Sequence, residues 1–248
     1  MSKNRKMAPK SVPQSRTSYQ RSEPTQAANV VKLGNRNYKK VEMLPRNTAQ
    51  ETYVEALLEK RMVFAVGPAG TGKTLLATLY AIQQLRTGYI EKIVLTRPAV
   101  SVDEELGALP GTLIEKLGPF IRPIIDIFEE YYAREEISRM MENGTLEICP
   151  LSYIRGRTFK NSVVILDEAQ STTPNQLKAA CTRIGSGSKM IITGDIKQAD
   201  YGRDGLSDFL KRLGDRCVED IAVVHFNHKH IERDPIISAI LDIYGDKD

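Results

Sequence analysis

Short runs of apolar residues alternate along this chain with longer segments in which apolar residues recur every three to four positions. From about Thr48 onward, the short runs have the length and β-branched content of buried strands. The longer segments have the spacing of helices that bury one face. This alternation predicts an α/β fold of three layers, in which helices cover both faces of a mainly parallel sheet.

The alternation predicts six strands and seven helices. No segment recurs at the intervals typical of repeat proteins. The predicted strands are residues 62–66, 92–96, 146–149, 163–166, 189–193 and 221–225. The predicted helices are residues 50–60, 73–86, 119–132, 133–143, 175–184, 206–213 and 235–244.

The basic residues are concentrated near the N-terminus. Residues 1–46 contain 11 of the 35 Lys and Arg residues and two acidic residues, a net charge of +9; the remainder has 24 basic and 29 acidic residues, a net charge of −5. The segment is polar and lacks periodicity up to Ala28, so we expect a basic flexible arm over residues 1–45 and one domain over residues 46–248. Such an arm attracts nucleic-acid phosphates, although a merely solvated tail fits equally well.

Composition also limits where the protein works. The apolar runs are shorter than the roughly 18 residues of a membrane span, and the N-terminus lacks the apolar core of a secretory signal. The three cysteines, Cys149, Cys181 and Cys217, are widely spaced and fit neither a disulfide framework nor a zinc-ligand pattern. We therefore expect a cytoplasmic protein with no membrane partner.

One segment carries a nucleotide-binding motif. Between the first predicted strand and the helix that follows it, the chain reads GPAGTGKT, the phosphate-loop pattern G-x-x-x-x-G-K-[ST] in its strand-to-helix context. Glycine lets backbone N–H groups approach a polyphosphate, and the helix N-terminus favours negative charge. Lys73 is expected to reach the β- and γ-phosphates of ATP, and Thr74 to join the coordination of Mg²⁺. The predicted nucleotide-binding residues of this loop are Gly67, Pro68, Ala69, Gly70, Thr71, Gly72, Lys73 and Thr74.

Acidic and amide residues follow two later strands, at the sheet edge where α/β proteins bind ligands. The run VVIL ends in Asp167 and Glu168, the arrangement of a Walker B strand. There Asp167 would orient Mg²⁺, and Glu168 would polarise the attacking water. After the next strand, Gln198 could position water or sense the γ-phosphate. The alternative there is a Gly-Asp turn in which Asp195 acts as a cap.

Two further groups are candidates for nucleotide contacts. Gln50 begins the helix before the first strand, where its amide could hydrogen-bond an adenine edge. Arginines near strand ends suit phosphate because the guanidinium fork binds two oxygens, although most single arginines are surface charges. Arg233 is the candidate arginine finger, acting in cis or on a neighbouring subunit. The other arginines of this group are Arg97, Arg155, Arg157 and Arg183.

The sequence resembles the PhoH-like family of ATPases, named for induction under phosphate starvation, whose RecA-type core is similar to that of superfamily 1 helicases. The resemblance covers residues 41–244, and this short form is similar to versions found in bacteriophages. It rests on residues 50–53 and on the segments GPAGTGKT, LTRPAV, LGALPGTLIEKLGPFIRP, PLSYIRGRTF, VVILDEAQ and TRIGSGSKMIITGDIKQAD. It implies ATP binding, Mg²⁺-dependent hydrolysis, a link to RNA metabolism, and assembly into homo-oligomeric, often hexameric, rings.

The chain departs from the family in one segment. The family's C-terminal pattern resembles DVVRHP, whereas residues 230–235 read HIERDP and so retain Arg233 and Pro235. Only one RecA-like core is predicted. A superfamily 1 helicase closes its ATP site between two cores, so neighbouring subunits would have to complete this one.

Two classes of function stay open. The first is an ATPase coupled to RNA or another single-stranded nucleic acid. The second is a nucleotide-gated assembly module in which hydrolysis is incidental. A nucleotide kinase has less support, because that class usually lacks a Glu beside the Walker B Asp.

Overall fold

Six parallel strands form the centre of the computed structural model, which describes residues 39–98, 113–199 and 205–231 together with Ile236 and Ile243. The strands are β1 (Met62–Val66), β2 (Lys92–Thr96), β3 (Leu146–Ile148), β4 (Ser162–Leu166), β5 (Lys189–Gly194) and β6 (Ile221–His225). They lie in the order β3-β2-β4-β5-β1-β6, and every neighbouring pair is parallel. The six predicted strands are therefore confirmed.

The helices of the described residues lie in the intervals between the strands or next to them. They are α1 (Thr48–Glu59), α2 (Lys73–Arg86), α3 (Leu113–Glu129), α4 (Arg134–Glu142), α5 (Pro174–Cys181) and α6 (Gly205–Leu213). The helix predicted over residues 235–244 lies outside the described residues, apart from Ile236 and Ile243. Within the described ranges, no helix combines the length and apolar character needed to cross a membrane.

The last residues of the predicted arm contact the domain. Residues 1–38 lie outside the described part of the chain. Val41 is buried in the core, and the Arg86 guanidinium donates a hydrogen bond to the carbonyl oxygen of Lys39 at 2.7 Å. Packing against the domain therefore begins before the boundary that composition indicates.

Helix α3 begins six residues before its predicted start. The predicted start is Pro119, and proline is common in the first turn of a helix. Both Pro119 and Pro123 instead lie inside α3. An internal proline removes a hydrogen-bond donor and crowds the preceding turn. Burial of Ile121, Ile124 and Phe128 in the hydrophobic core offsets that cost.

Helices cover both faces of the sheet. On one face, α1 to α4 pack on a cluster that includes Val63 and Ile165. On the other face, α5, α6 and the 3₁₀ helix Leu151–Ile154 pack on a cluster that includes Phe64 and Val164. Since successive side chains of a strand point to opposite faces, the strands buried on both sides are apolar along most of their length. The three-layer α/β fold predicted from sequence is therefore confirmed.

The strand order places three loops side by side. Strand β5 lies between β1 and β4 and pairs with both. The glycine-rich loop after β1, the acidic pair after β4 and the polar residues after β5 consequently leave the sheet at one edge.

A cluster of ion pairs lies at β3, the outermost strand on one side of the sheet. The Arg157 guanidinium donates to both carboxylate oxygens of Glu147, at 2.5 and 2.9 Å, and Lys92 approaches the same carboxylate at 3.0 Å. The hydrogen bonds from Arg157, together with those from Lys92, lower the pKa of Glu147 from 4.5 to about 2. Arg157, a predicted phosphate-binding candidate, therefore forms an ion pair that stabilises the edge of the sheet.

We expect Glu147→Gln to lower the free energy of unfolding by about 2 kcal/mol near neutral pH, the pKa shift converted at about 1.4 kcal/mol per unit and reduced for partial exposure. Because the folded-state pKa lies below the ordinary value, this stabilisation is complete above about pH 4.5 and disappears as the pH falls to about 2. Urea unfolding at about pH 6 and about pH 3 should show the difference from the parent protein shrinking by more than half.

The matched control is Glu142→Gln, which changes an exposed glutamate on α4. An effect of Glu147→Gln that is the same at both pH values would contradict the pKa assignment.

Candidate functional site

The loop between β1 and α2 has a conformation that requires glycine at two positions. Gly67 has a φ of 148°, and a Cβ atom there would lie 2.3 Å from the carbonyl oxygen of Phe226. Gly72, just before α2, has a φ of 83°, and a Cβ atom there would lie 2.9 Å from Nε2 of Gln50. Both backbone conformations are rare for residues with a side chain, and both spaces are filled. The loop is therefore seated tightly against its neighbours.

The ammonium group of Lys73 lies inside this loop. Its Nζ donates to the carbonyl oxygens of Gly67 and Pro68, both at 2.7 Å, and lies 3.3 Å from Oγ1 of Thr71. Lys73 is 9% exposed. A phosphate entering the loop would replace these carbonyl oxygens with charged oxygens, which bind an ammonium group more strongly.

Asp167 links the loop to the neighbouring strand. Its Oδ1 accepts a hydrogen bond from Oγ1 of Thr74 at 3.0 Å and another from Oγ1 of Thr193 on β5. Thr193 was missing from the sequence prediction, because a threonine inside a strand is an ordinary residue. Its role becomes visible only when β5 is placed next to β4.

The Thr74 and Asp167 side chains fit a magnesium ion. Both provide oxygen atoms, the ligand type that Mg²⁺ prefers, and the two oxygens lie within hydrogen-bonding distance. In nucleotide sites, Mg²⁺ keeps several waters and takes further ligands from phosphates. One carboxylate and one hydroxyl are therefore a sufficient protein contribution.

Glu168 occupies a strained turn directly after Asp167. Its backbone lies in the left-handed region, with a φ of 56° and a ψ of 44°, which residues other than glycine seldom adopt. Its carboxylate accepts a hydrogen bond from Nε2 of Gln170. The buried Gln170 in turn accepts one at Oε1 from the backbone N–H of Asp195, at 3.0 Å. Gln170 therefore ties Glu168 to the end of β5. The sequence prediction did not single out Gln170, although it belongs to the VVILDEAQ segment.

Arg97 brings positive charge to the acidic pair from the end of β2. Its Nη1 lies 3.8 Å from Oδ2 of Asp167, and its Nη2 lies 3.5 Å from Oε1 of Glu168. The same guanidinium donates to the carbonyl oxygen of Phe120 at 3.0 Å and lies 5.4 Å from the centre of that ring. Arg97 therefore joins the two carboxylates to α3.

The other predicted arginines lie elsewhere. Arg183 donates to Oγ1 of Thr182 at 3.2 Å, and Arg155 is exposed beside a second cavity. Arg233 lies outside the described residues, so its role as an arginine finger stays a prediction.

A cavity of about 60 Å³ separates the loop from the ends of β4 and β5. It has the size of a few water molecules, so a nucleoside would lie outside it. Gln198 lines this cavity together with residues of the loop. Asp195 accepts a hydrogen bond from the backbone N–H of Lys197 at 3.0 Å, which is the capping role given above as the alternative. The lining residues are Ala69, Lys73, Thr74, Asp167, Glu168, Gly194, Asp195 and Gln198.

Gln50 supports the loop and does not present its amide to solvent. It is 5% exposed; its Nε2 donates to the Thr71 carbonyl at 3.1 Å, and its Oε1 accepts from the Arg46 N–H at 2.9 Å. We had predicted that this amide would contact an adenine edge. Both ends of the amide are bonded to backbone, so Gln50 supports the loop, and its contact with an adenine edge stays a prediction.

Replacing Gln50 by leucine distinguishes these two roles. Leucine has a similar size but leaves the Thr71 carbonyl and the Arg46 N–H without this partner. We expect the nucleotide-free protein to lose about 1–3 kcal/mol of unfolding free energy, measured by chemical denaturation. Gln84→Leu, the same change at a half-buried position on α2, is the control. Unchanged stability combined with a lost preference for ATP over GTP would instead support the adenine contact.

Comparison with known proteins gives a family match over most of the chain. Residues 42–245 match the family model described as PhoH-like protein. The chain is 44% identical over 202 residues to a PhoH-like protein of Bacillus subtilis (strain 168), which covers 80% of this chain and 63% of that protein. It is 39% identical over 214 residues to Protein PhoH of Escherichia coli (strain K12), which covers 82% of this chain and 58% of that protein. The chain therefore spans roughly three fifths of the length of these curated relatives.

Among solved structures, the large terminase from a thermophilic bacteriophage is similar with a TM-score of 0.48. The two chains are 12% identical, and the match covers 80% of this chain and 50% of that chain. We draw no functional argument from a likeness of this strength.

Proposed function

Because this chain belongs to the PhoH-like protein family, we propose that it binds ATP with Mg²⁺ and hydrolyses it, and that single-stranded RNA stimulates the hydrolysis. The site is of the nucleotide-binding ATPase type, with a phosphate loop facing a pair of carboxylates. One observation carries the proposal: the 3.0 Å hydrogen bond between Thr74 and Asp167, which joins the two predicted metal ligands across 93 positions of sequence.

The loop supplies the groups that bind the triphosphate. The N-terminal end of the α2 dipole and the Lys73 ammonium both favour negative charge at the same place. Thr74 and Asp167 would hold Mg²⁺, which neutralises charge on the phosphates when it is bound. The base and ribose would lie outside the small cavity.

Glu168 is the residue that we assign to polarise the attacking water. Gln170 binds one of its carboxylate oxygens, and Arg97 approaches the other at 3.5 Å, so the carboxylate is oriented before nucleotide arrives. Gln198 faces the same cavity, from which it would orient this water or respond to loss of the γ-phosphate.

A neighbouring subunit is the proposed source of the remaining contacts. The cavity is open, and covering it would exclude water from the reacting groups. A homo-oligomer in the cytoplasm, with Arg233 acting in cis or toward a neighbour, is therefore part of the proposal. The basic N-terminal segment would add affinity for RNA phosphates.

We expect Glu168→Gln to bind ATP with nearly unchanged affinity and to hydrolyse it at least about 100-fold more slowly. The amide keeps the size of the side chain but cannot accept a proton from water. Phosphate release is measured with Mg²⁺, with and without single-stranded RNA, beside a Lys73→Ala control that should lose ATP binding. Unchanged turnover would remove Glu168 from the mechanism. Turnover of the parent protein that ignores RNA would favour the nucleotide-gated assembly module.

Arg97→Ala should lower kcat by about tenfold or more with little change in the KM for ATP. Arg97 contacts the acidic pair and not the phosphate loop, so its loss should affect the chemical step more than binding. Arg97→Lys, which keeps the charge but loses the fork, should retain part of the rate. Arg122→Ala, on the exposed side of α3, is the control. An effect confined to KM would contradict this role.

A further inference from the structure

A second and larger cavity opens at the same edge of the sheet. It has a volume of about 270 Å³ and lies between α5 and the 3₁₀ helix Leu151–Ile154. The 3₁₀ helix follows β3 and α5 follows β4, so both walls stand at the carboxyl ends of strands. The residues that line it are Leu151, Ser152, Arg155, Gln176 and Ala179, none of which lines the nucleotide cavity.

Arg155 lines this cavity, and an exposed aromatic ring lies two positions before it in the sequence. Tyr153, within the 3₁₀ helix, is 59% exposed. Arg155 is exposed and has no ion pair or hydrogen bond among the described residues, whereas Arg157, two positions later, is held by Glu147. An open aromatic face can stack on a base, and an unpaired guanidinium can bind a phosphate.

The cavity itself offers neutral polar groups. Oε1 of Gln176 accepts a hydrogen bond from the Thr173 N–H at 2.9 Å, while its Nε2 has no partner within the described ranges. The Ser152 hydroxyl also lines the cavity, and the lining contains no carboxylate. A hydroxyl and an amide suit the ribose 2′-hydroxyl, which both donates and accepts hydrogen bonds.

A rigid frame holds these groups in place. Leu151 and Ile154, on either side of the exposed pair Ser152 and Tyr153, are 4% and 1% exposed. They belong to the same buried cluster as Leu177 of α5. The cleft is therefore formed before any ligand binds, and binding does not require its walls to be ordered.

We propose that this cleft binds single-stranded RNA, with a phosphate on Arg155, ribose hydroxyls on Ser152 and Gln176, and a base stacked outside the cleft on Tyr153. The inference rests on the proposed function and adds the place where RNA binds. Helix α5, one wall of the cleft, also connects the cleft to the nucleotide site. Helix α5 begins six residues after Glu168, and the intervening Gln170 holds the Glu168 carboxylate.

The first test measures binding of a fluorescently labelled oligouridine to the full chain by anisotropy. Tyr153→Ala should weaken binding by about tenfold, the usual effect of removing one stacked base. Tyr153→Phe keeps the aromatic face and should bind like the parent protein. Tyr89→Ala removes a tyrosine that is 71% exposed at the opposite edge of the sheet and should also have no effect.

The second test uses salt dependence. Arg155→Ala should weaken binding and reduce the slope of log affinity against log salt concentration by about 0.7, the value for one phosphate contact on a single strand. Arg155→Lys should restore the slope. Oligodeoxyuridine should bind more weakly than oligouridine, because it lacks the 2′-hydroxyl.

The outcomes separate the cleft from the function on which it rests. A parent protein that neither binds RNA nor is stimulated by it overturns both. RNA-stimulated hydrolysis by the parent protein, combined with unchanged RNA binding by Tyr153→Ala and Arg155→Ala, overturns the cleft alone. Equal affinity for the two oligonucleotides overturns the assignment to RNA.

Discussion

The hydrogen bonds that meet at Asp167 are the constraint on which the rest of the site depends. Asp167 is 8% exposed, and a buried carboxylate is stable only when donors or positive charges satisfy it. Thr74, Thr193 and Arg97 supply these from the start of α2, from β5 and from the end of β2. The carboxylate is therefore satisfied only when β5 lies between β1 and β4 and β2 lies on the far side of β4. The hydrogen bonds of Asp167 therefore depend on the strand order of the sheet, and they stabilise that order when they form.

Protein groups occupy the positions at which the proposed triphosphate would make its contacts. Lys73 binds carbonyl oxygens of its own loop, and Thr74 binds Asp167. Entry of a triphosphate with its metal then requires these side chains to exchange partners while the backbone stays in place. Glu168 needs no such exchange, because Gln170 and Arg97 already fix its carboxylate. The roles proposed for Lys73 and Glu168 thus depend on separate sets of contacts, which is why changes at the two residues can be distinguished experimentally.

The strands, most of the helices, the phosphate loop and the acidic pair could be predicted because each has a strong local signal in the sequence. Strands buried on both faces are continuous apolar runs, and the phosphate loop fixes four positions in one register. Thr193 and Gln170 escaped prediction because their roles come from the adjacency of β4 and β5, which no local pattern encodes. The start of α3 was wrong because buried side chains outweigh the local preference at Pro119. The hydrogen bond from Gln50 to the Thr71 carbonyl was not predicted, because the two residues are 21 positions apart in the sequence.

The backbone strain at Glu168 and the stacking of a base at the RNA cleft involve similar free energies. A residue such as Glu168 in the left-handed region stores about 1–3 kcal/mol of backbone strain, held by its surroundings. Stacking one base contributes a similar amount, about 1–3 kcal/mol. A ligand can shift a conformational equilibrium only by the difference in its affinity for the two states. Since α5 begins six residues after Glu168, RNA on the cleft acts on the segment that holds the strained turn. The free energy of stacking is therefore comparable with the strain held at that turn.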